Sequence, residues 1–169
     1  MSIHEADALL ARGEVSNPAK GYGHVKLGPF LGFLWFTTLR GGLRTPKLRE
    51  VTTFGDGATL DVAGSPRVIL TPGHTPGSAA LHVPSLNALF IGDAFATYAV
   101  TTGVRGPQVA PFTVDTVEAV ASLTRLEGIS ADLVLPEHGD PWTDGIQEAV
   151  RQIRQLKARP GPPAAGGAP

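Results

Sequence analysis

The sequence predicts an α/β domain in which a sheet of short strands is flanked by helices. Between Glu50 and Asp93, β-branched stretches alternate with Gly/Pro turns, the pattern of sequential strands. After Thr113 the apolar residues recur at helical spacing. With 169 residues, 42% of them apolar, the chain has enough for one core and too little for two domains.

"SIHEADALLARG" reads as a short helix, capped by Ser2, boxed by Glu5 and ended by Gly13. Asn17 to His24 reads as loop. "LGPFLGFLWFTTL" (Leu27 to Leu39) is the most apolar run and too short to span a bilayer. It reads as a buried or lid-forming helix. Two glycines and a proline weaken it as a regular helix, which leaves contact with a membrane surface or a hydrophobic substrate as the alternative.

"EVTTF", "TLDV", "RVIL", "AALHV" and "ALFIGD" follow as strands, most simply an antiparallel meander. "VDTVEAVASLTRL" presents Val114, Val117, Val120, Leu123 and Leu126 at helical spacing. "ADLVLP" reads as a buried strand. "TDGIQEAVRQIRQLKAR" is amphipathic, with Ile146, Val150, Ile153 and Leu156 on one face. The domain is expected to occupy residues 1–158, and "PGPPAAGGAP" belongs to a low-complexity tail (159–169), expected to be disordered.

A formal net charge of −1 offers no basic field for nucleic acid or an anionic membrane, so a small-molecule substrate is the expected partner. Without cysteine there is no disulfide and no thiolate, and any metal site must use His and carboxylates. The N-terminus has no cationic stretch followed by an apolar run, so no signal peptide is read and a cytoplasmic location is expected.

Three polar groups stand where a strand gives way to a Gly/Pro turn: His74 after "VILTPG", Asp93 after "ALFIG" and His138 after "LVLPE". Turns at one sheet edge would place two imidazoles and a carboxylate together, a ligand set that zinc accepts. Each has a plainer reading as a surface or turn residue. Glu137 reads mainly as a solvated turn carboxylate and otherwise as support for His138. His24 and His82 read as structural or surface residues.

"TPGHTPGS", "LFIGDA" and "LPEHGDP", in this order, resemble the second half of the metallo-β-lactamase superfamily of metal-dependent hydrolases. "TFGDGATLDVAG" resembles the strand pair that leads into it. The resemblance implies an αββα sandwich with two zinc ions. By position, His74 matches the third histidine of the first metal site, Asp93 the bridging carboxylate, and His138 the last histidine of the second site. It also implies hydrolysis of an ester, thioester, lactone or amide by a zinc-activated water. Gly73 and Gly77 would let backbone pass close to the metals, and the prolines would stiffen the loop.

The family's signature, H-x-H-x-D-H, does not occur in the sequence. "SIHEADALL" resembles the segment that follows it, so the domain is expected to be N-terminally truncated. One reading is a longer hydrolase whose start lies upstream. The other is a short chain that is a pseudoenzyme or a half-domain acting by binding a partner. As written, the chain is expected to hold at most one zinc, weakly, and to expose an apolar sheet face prone to self-association.

Overall fold

The computed structural model describes residues 2–16, 25–41 and 48–158. Strand β1 (Ser2–His4) runs through one 3-10 turn into α1 (Ala8–Arg12), and α2 spans Leu27–Leu39. Then come β2 (Thr52–Phe54), β3 (Arg67–Leu70), β4 (Ala79–Val83), β5 (Ala88–Gly92), β6 (Ala96–Ala99) and β7 (Val104–Gln108). Helix α3 (Thr116–Ser122), β8 (Leu133–Pro136) and α4 (Ile146–Ala158) follow. The expected loop at 17–24 and the tail at 159–169 lie outside the described residues.

The central sheet has the order β3-β4-β5-β8. Of the expected antiparallel meander the last three strands form, whereas β2, from "EVTTF", pairs in parallel with β1; β8 joins β5 in parallel. Two reversals bring β5 back to the direction of β3, so β3, β5 and β8 all point the same way. Their C-terminal ends therefore share one sheet edge. That is where His74, Asp93 and His138 follow in the chain.

Side chains alternate across the strands, and one face packs under helices. Ile69, Ala80, Leu89, Ile91 and Val134 meet Leu123 and Leu126, from the 3-10 turn after α3, and Ile146, Ala149, Val150 and Ile153 of α4. On the other face Leu81, Phe90 and Leu135 stand in register across β4, β5 and β8. They line an open cavity of about 440 Å³ with Ala79 and Pro136.

Several local expectations change. Ser2 is not a helix cap: it pairs in parallel with Thr52, and the turn begins after His4, whose Nδ1 accepts the Ala6 N–H at 3.2 Å. Gly13 does close α1 in a left-handed conformation (φ 68°). "TLDV" supplies one bridge, Thr59 to Arg67, rather than a strand. The buried face of α3 and the 3-10 turn after it is Ala119, Leu123 and Leu126, spaced by four and three residues, and Val117 lies off that face and is exposed. Leu156 is exposed on the last turns of α4. The β6–β7 hairpin adds a strand pair that the sequence pattern does not announce.

Helix α2 forms over the residues expected, yet none of them is buried. No helix among the described residues is long and apolar enough to cross a membrane.

Candidate metal centre

Each of the three turns at the shared edge is held by a different device. The His74 loop is clamped from two sides. On one side its backbone docks on the start of α3, where Asp115 N–H donates to Gly73 O (2.9 Å) and Val114 N–H to His74 O (3.3 Å). Asp115 also caps α3 by accepting from the Val117 and Glu118 N–H groups. On the other side Asp7 is buried and accepts from Gly77 N–H (2.8 Å) and the Thr75 hydroxyl (2.5 Å).

The two glycines serve this clamp. A Cβ on Gly73 would fall 2.2 Å from the Ala119 nitrogen, and one on Gly77 would fall 2.6 Å from Asp7 Cγ. Only glycine lets the loop lie this close to α3 and to Asp7.

Asp93 sits one residue beyond the end of β5, and Glu137 and His138 lie just past β8, the parallel neighbour. The Glu137 N–H donates to Gly92 O at 3.1 Å, tying the two strand ends together. The His138 carbonyl accepts from Thr97 N–H (3.0 Å) and Tyr98 N–H (3.3 Å), which fastens that turn to β6.

The three side chains converge. Asp93 Oδ1 is 3.0 Å from His138 Nδ1, and Asp93 Oδ2 is 3.5 Å from His74 Nε2. His74 and Asp93 are largely enclosed, and His138 is more open. The hydrogen bond with Asp93 holds the His138 imidazole above its ordinary pKa; partial burial opposes this, and the charges of Asp93 and Glu137 add to it. Val100, Pro111 and Phe112 close a cavity of about 60 Å³ over the trio. That is room for an ion and a little water, not for a substrate.

The ring orientation of His74 follows from its neighbour. Thr113 donates its only hydroxyl hydrogen to Ala110 O (2.7 Å), so its oxygen accepts from His74 Nδ1 at 3.1 Å. Neutral His74 then carries its proton on Nδ1 and turns the Nε2 lone pair toward Asp93 and the cavity. A ligand histidine needs this arrangement.

Glu137, read mainly as a turn carboxylate, is exposed but close. One oxygen each from Asp93 and Glu137 and one ring nitrogen of His138 all lie within 4.8 Å of one another. Sequence reasoning missed Asp7, Thr113 and Phe112. The first two act through spacing too long for a local pattern to reveal. Phe112 holds a left-handed backbone (φ 65°), unusual for a bulky residue, and its ring lies 5.8 Å from that of Phe33 on α2. His82 pairs in register with Arg67 and Leu89 within the sheet, and His4 packs against Phe54, so neither belongs to the site. His24 lies outside the described residues.

Among the described residues one imidazole and two carboxylates, those of His138, Asp93 and Glu137, lie close enough to share an ion, with His74 beside Asp93 but outside that group; nitrogen and oxygen donors without sulfur suit zinc or another first-row divalent ion.

No curated protein matches the chain. Among solved structures, a metallo-beta-lactamase family protein of Thermus thermophilus is similar at 21% identity and a TM-score of 0.57, over 93% of this chain and 52% of that one. A protein solved in a di-iron-bound form is similar at 24% identity and 0.54, over 92% and 64%. A metallo-beta-lactamase superfamily protein of Sulfolobus tokodaii is similar at 17% identity and 0.56, over 99% and 62%. At these identities the likeness is one of fold, and this chain spans about half to two thirds of their lengths. The model of the metallo-beta-lactamase superfamily matches residues 4–138, from the buried His4 to the last of the three converging side chains, and the chain belongs to that superfamily.

Proposed function

We propose that this chain is the ligand-bearing part of a metal-dependent hydrolase acting on an ester, thioester, lactone or amide. What supports this most is Asp93, a single carboxylate with one oxygen toward each of two histidines, at 3.0 and 3.5 Å. Zinc is the metal we assign, held by His74, Asp93 and His138. Iron, which the di-iron-bound neighbour holds, is the competitor. When bound, the metal supplies Lewis acidity toward a carbonyl oxygen and acidifies water.

The protein's own residues do the positioning. Thr113 keeps His74 in the tautomer that offers Nε2. Asp93 orients His138 through its Nδ1. Glu137 adds a further oxygen donor and negative charge beside them. The donors that the H-x-H-x-D-H signature supplies in the family are not in this sequence, so one ion at most, weakly held, is expected.

Zinc titration by calorimetry, with elemental analysis after gel filtration, tests the assignment. Uptake of no more than one ion is expected, abolished in His74→Ala and in Asp93→Asn while both variants stay folded. A slow hydrolysis of a nitrophenyl ester, thioester and lactone panel should disappear with it. Zinc uptake unaffected by both substitutions would sink the reading.

A second reading, a half-domain that works by binding, draws on the open sheet face. Leu81, Phe90 and Leu135 form an apolar row with no polar residue to interrupt it. It predicts mass growth with concentration in light scattering, and no hydrolysis at any zinc concentration.

A further inference from the structure

The charge of −1 averages over two very different parts of the chain. Between Val15 and Arg49 stand Lys20, Lys26, Arg40, Arg44, Lys47 and Arg49, with no Asp or Glu at all. The remaining eight basic residues share the rest of the chain with all fifteen acidic ones. The all-cationic stretch is the one that contains α2.

Helix α2 is apolar around its whole circumference and about 20 Å long at the usual helical rise. Leu27, Leu31, Trp35 and Leu39 recur every four residues as one exposed stripe, with Leu27 74% and Trp35 70% exposed. Its two hydroxyls face no unmet demand, because Thr37 donates to Phe33 O and Leu34 O, and Thr38 to Leu34 O. The helix therefore brings no unsatisfied hydroxyl to an apolar phase. It is moored to the domain by Phe33 on Phe112 and by Lys26 N–H donating to Thr101 O (2.9 Å). At its other end the Arg40 guanidinium lies over the Phe36 ring, 5.2 Å from its centre.

We propose that α2 docks this protein on an anionic lipid surface. The helix would lie in the interface, Trp35 at headgroup level, while Lys26 and Arg40 extend to the phosphates and the flanking cations add attraction. Charge complementarity selects this occupant. A second copy seated α2 against α2 would bring two acid-free cationic stretches together. Nucleic acid would leave the apolar stripe in water. Docking does not depend on the metal centre, although Phe112 joins the two: it would turn the mouth of the cavity toward the lipid.

The test uses the full chain with vesicles of phosphatidylcholine alone and with about a quarter phosphatidylglycerol. Co-sedimentation should be about tenfold stronger on the anionic vesicles and weaken as salt rises. In Trp142→Phe, Trp35 is the single tryptophan, and its emission should shift to the blue on binding. Trp35→Glu changes an exposed position, so melting should be unaltered while sedimentation is lost. Absence of binding, or equal binding to both vesicles, overturns the proposal. So does a dimer in lipid-free buffer that Trp35→Glu converts to monomer without any vesicle binding by the wild type, since α2 would then seat a second copy.

Discussion

On the helix side of the central sheet, Leu89, Ile91 and Val134 are fully buried beneath α4 and the turn after α3. On the opposite side, Phe90 and Leu135 come from the same two strands, Leu81 comes from the neighbouring β4, and all three carry equally apolar side chains. There Phe90 is 41% exposed over an open cavity. Strands apolar on both faces belong to sheets covered on both faces. The comparison teaches that covering one face holds this sheet in register, while the residues of the other are chemically suited to a partner layer.

The largest expected effect separates the two faces directly. Ile91→Ala removes a fully buried side chain and should cost about 2–5 kcal/mol in urea unfolding. Phe90→Ala, its chain neighbour on the open side, should cost less than about 1 kcal/mol. Equal costs would mean that the open face is covered in solution. A concentration series in light scattering would then identify self-association as the cover.

The metal end of the sheet divides in the same manner, between residues that hold and residues that act. Asp7→Ala strands the buried Gly77 N–H and leaves the Thr75 hydroxyl to Ser78 Oγ (2.9 Å), an expected loss of about 1–3 kcal/mol, with faster amide exchange at Gly77. Thr113→Val should leave stability nearly intact but let the His74 ring change tautomer. Its zinc affinity should fall about tenfold or more by calorimetry. If Thr113→Val binds zinc as the wild type does, the hydroxyl does not set the ring.

This division also explains what could be read beforehand. The meander was legible because its strands are short, β-branched and bounded by Gly/Pro turns. His74, Asp93 and His138 were legible because each follows such a strand, and the blocks around them resemble one family. The clamp was not. Asp7 reaches Gly77 across 70 residues, and Thr113 reaches His74 across 39, separations that no local period encodes. The Ser2 cap failed because pairing with β2 claimed the backbone first. Val117 failed because the apolar positions 114, 117 and 120 recur every three residues, and at about 3.6 residues per turn such a series drifts off the buried face. Net charge concealed the cationic stretch around α2 for a different reason: a sum carries no positions.

The smallest expected effect lies at the edge strand, where the two faces meet. The turn holding Asp56 and Gly57 lies along β3, with Gly57 N–H donating to Val68 O and Val68 N–H to Ala58 O. Asp56 accepts the Leu70 N–H at 2.8 Å and pairs with Arg125 from the helix side, so it ties the turn to both. The Leu70 hydrogen bond holds its carboxyl below the usual 3.8; burial opposes this, and the Arg125 guanidinium and the Gly57 N–H add to the lowering. A depressed folded-state pKa means the contribution is present above 3.8 and fades as pH falls through the lower, folded value. Asp56→Asn can still accept from Leu70 and loses only the charge. Its deficit against the wild type in urea unfolding should therefore be small at neutral pH and shrink further in salt, because the pair with Arg125 is exposed. Below pH 3.8 the two proteins should converge. A deficit that persists there would assign the role of Asp56 to shape at the strand edge and not to its charge.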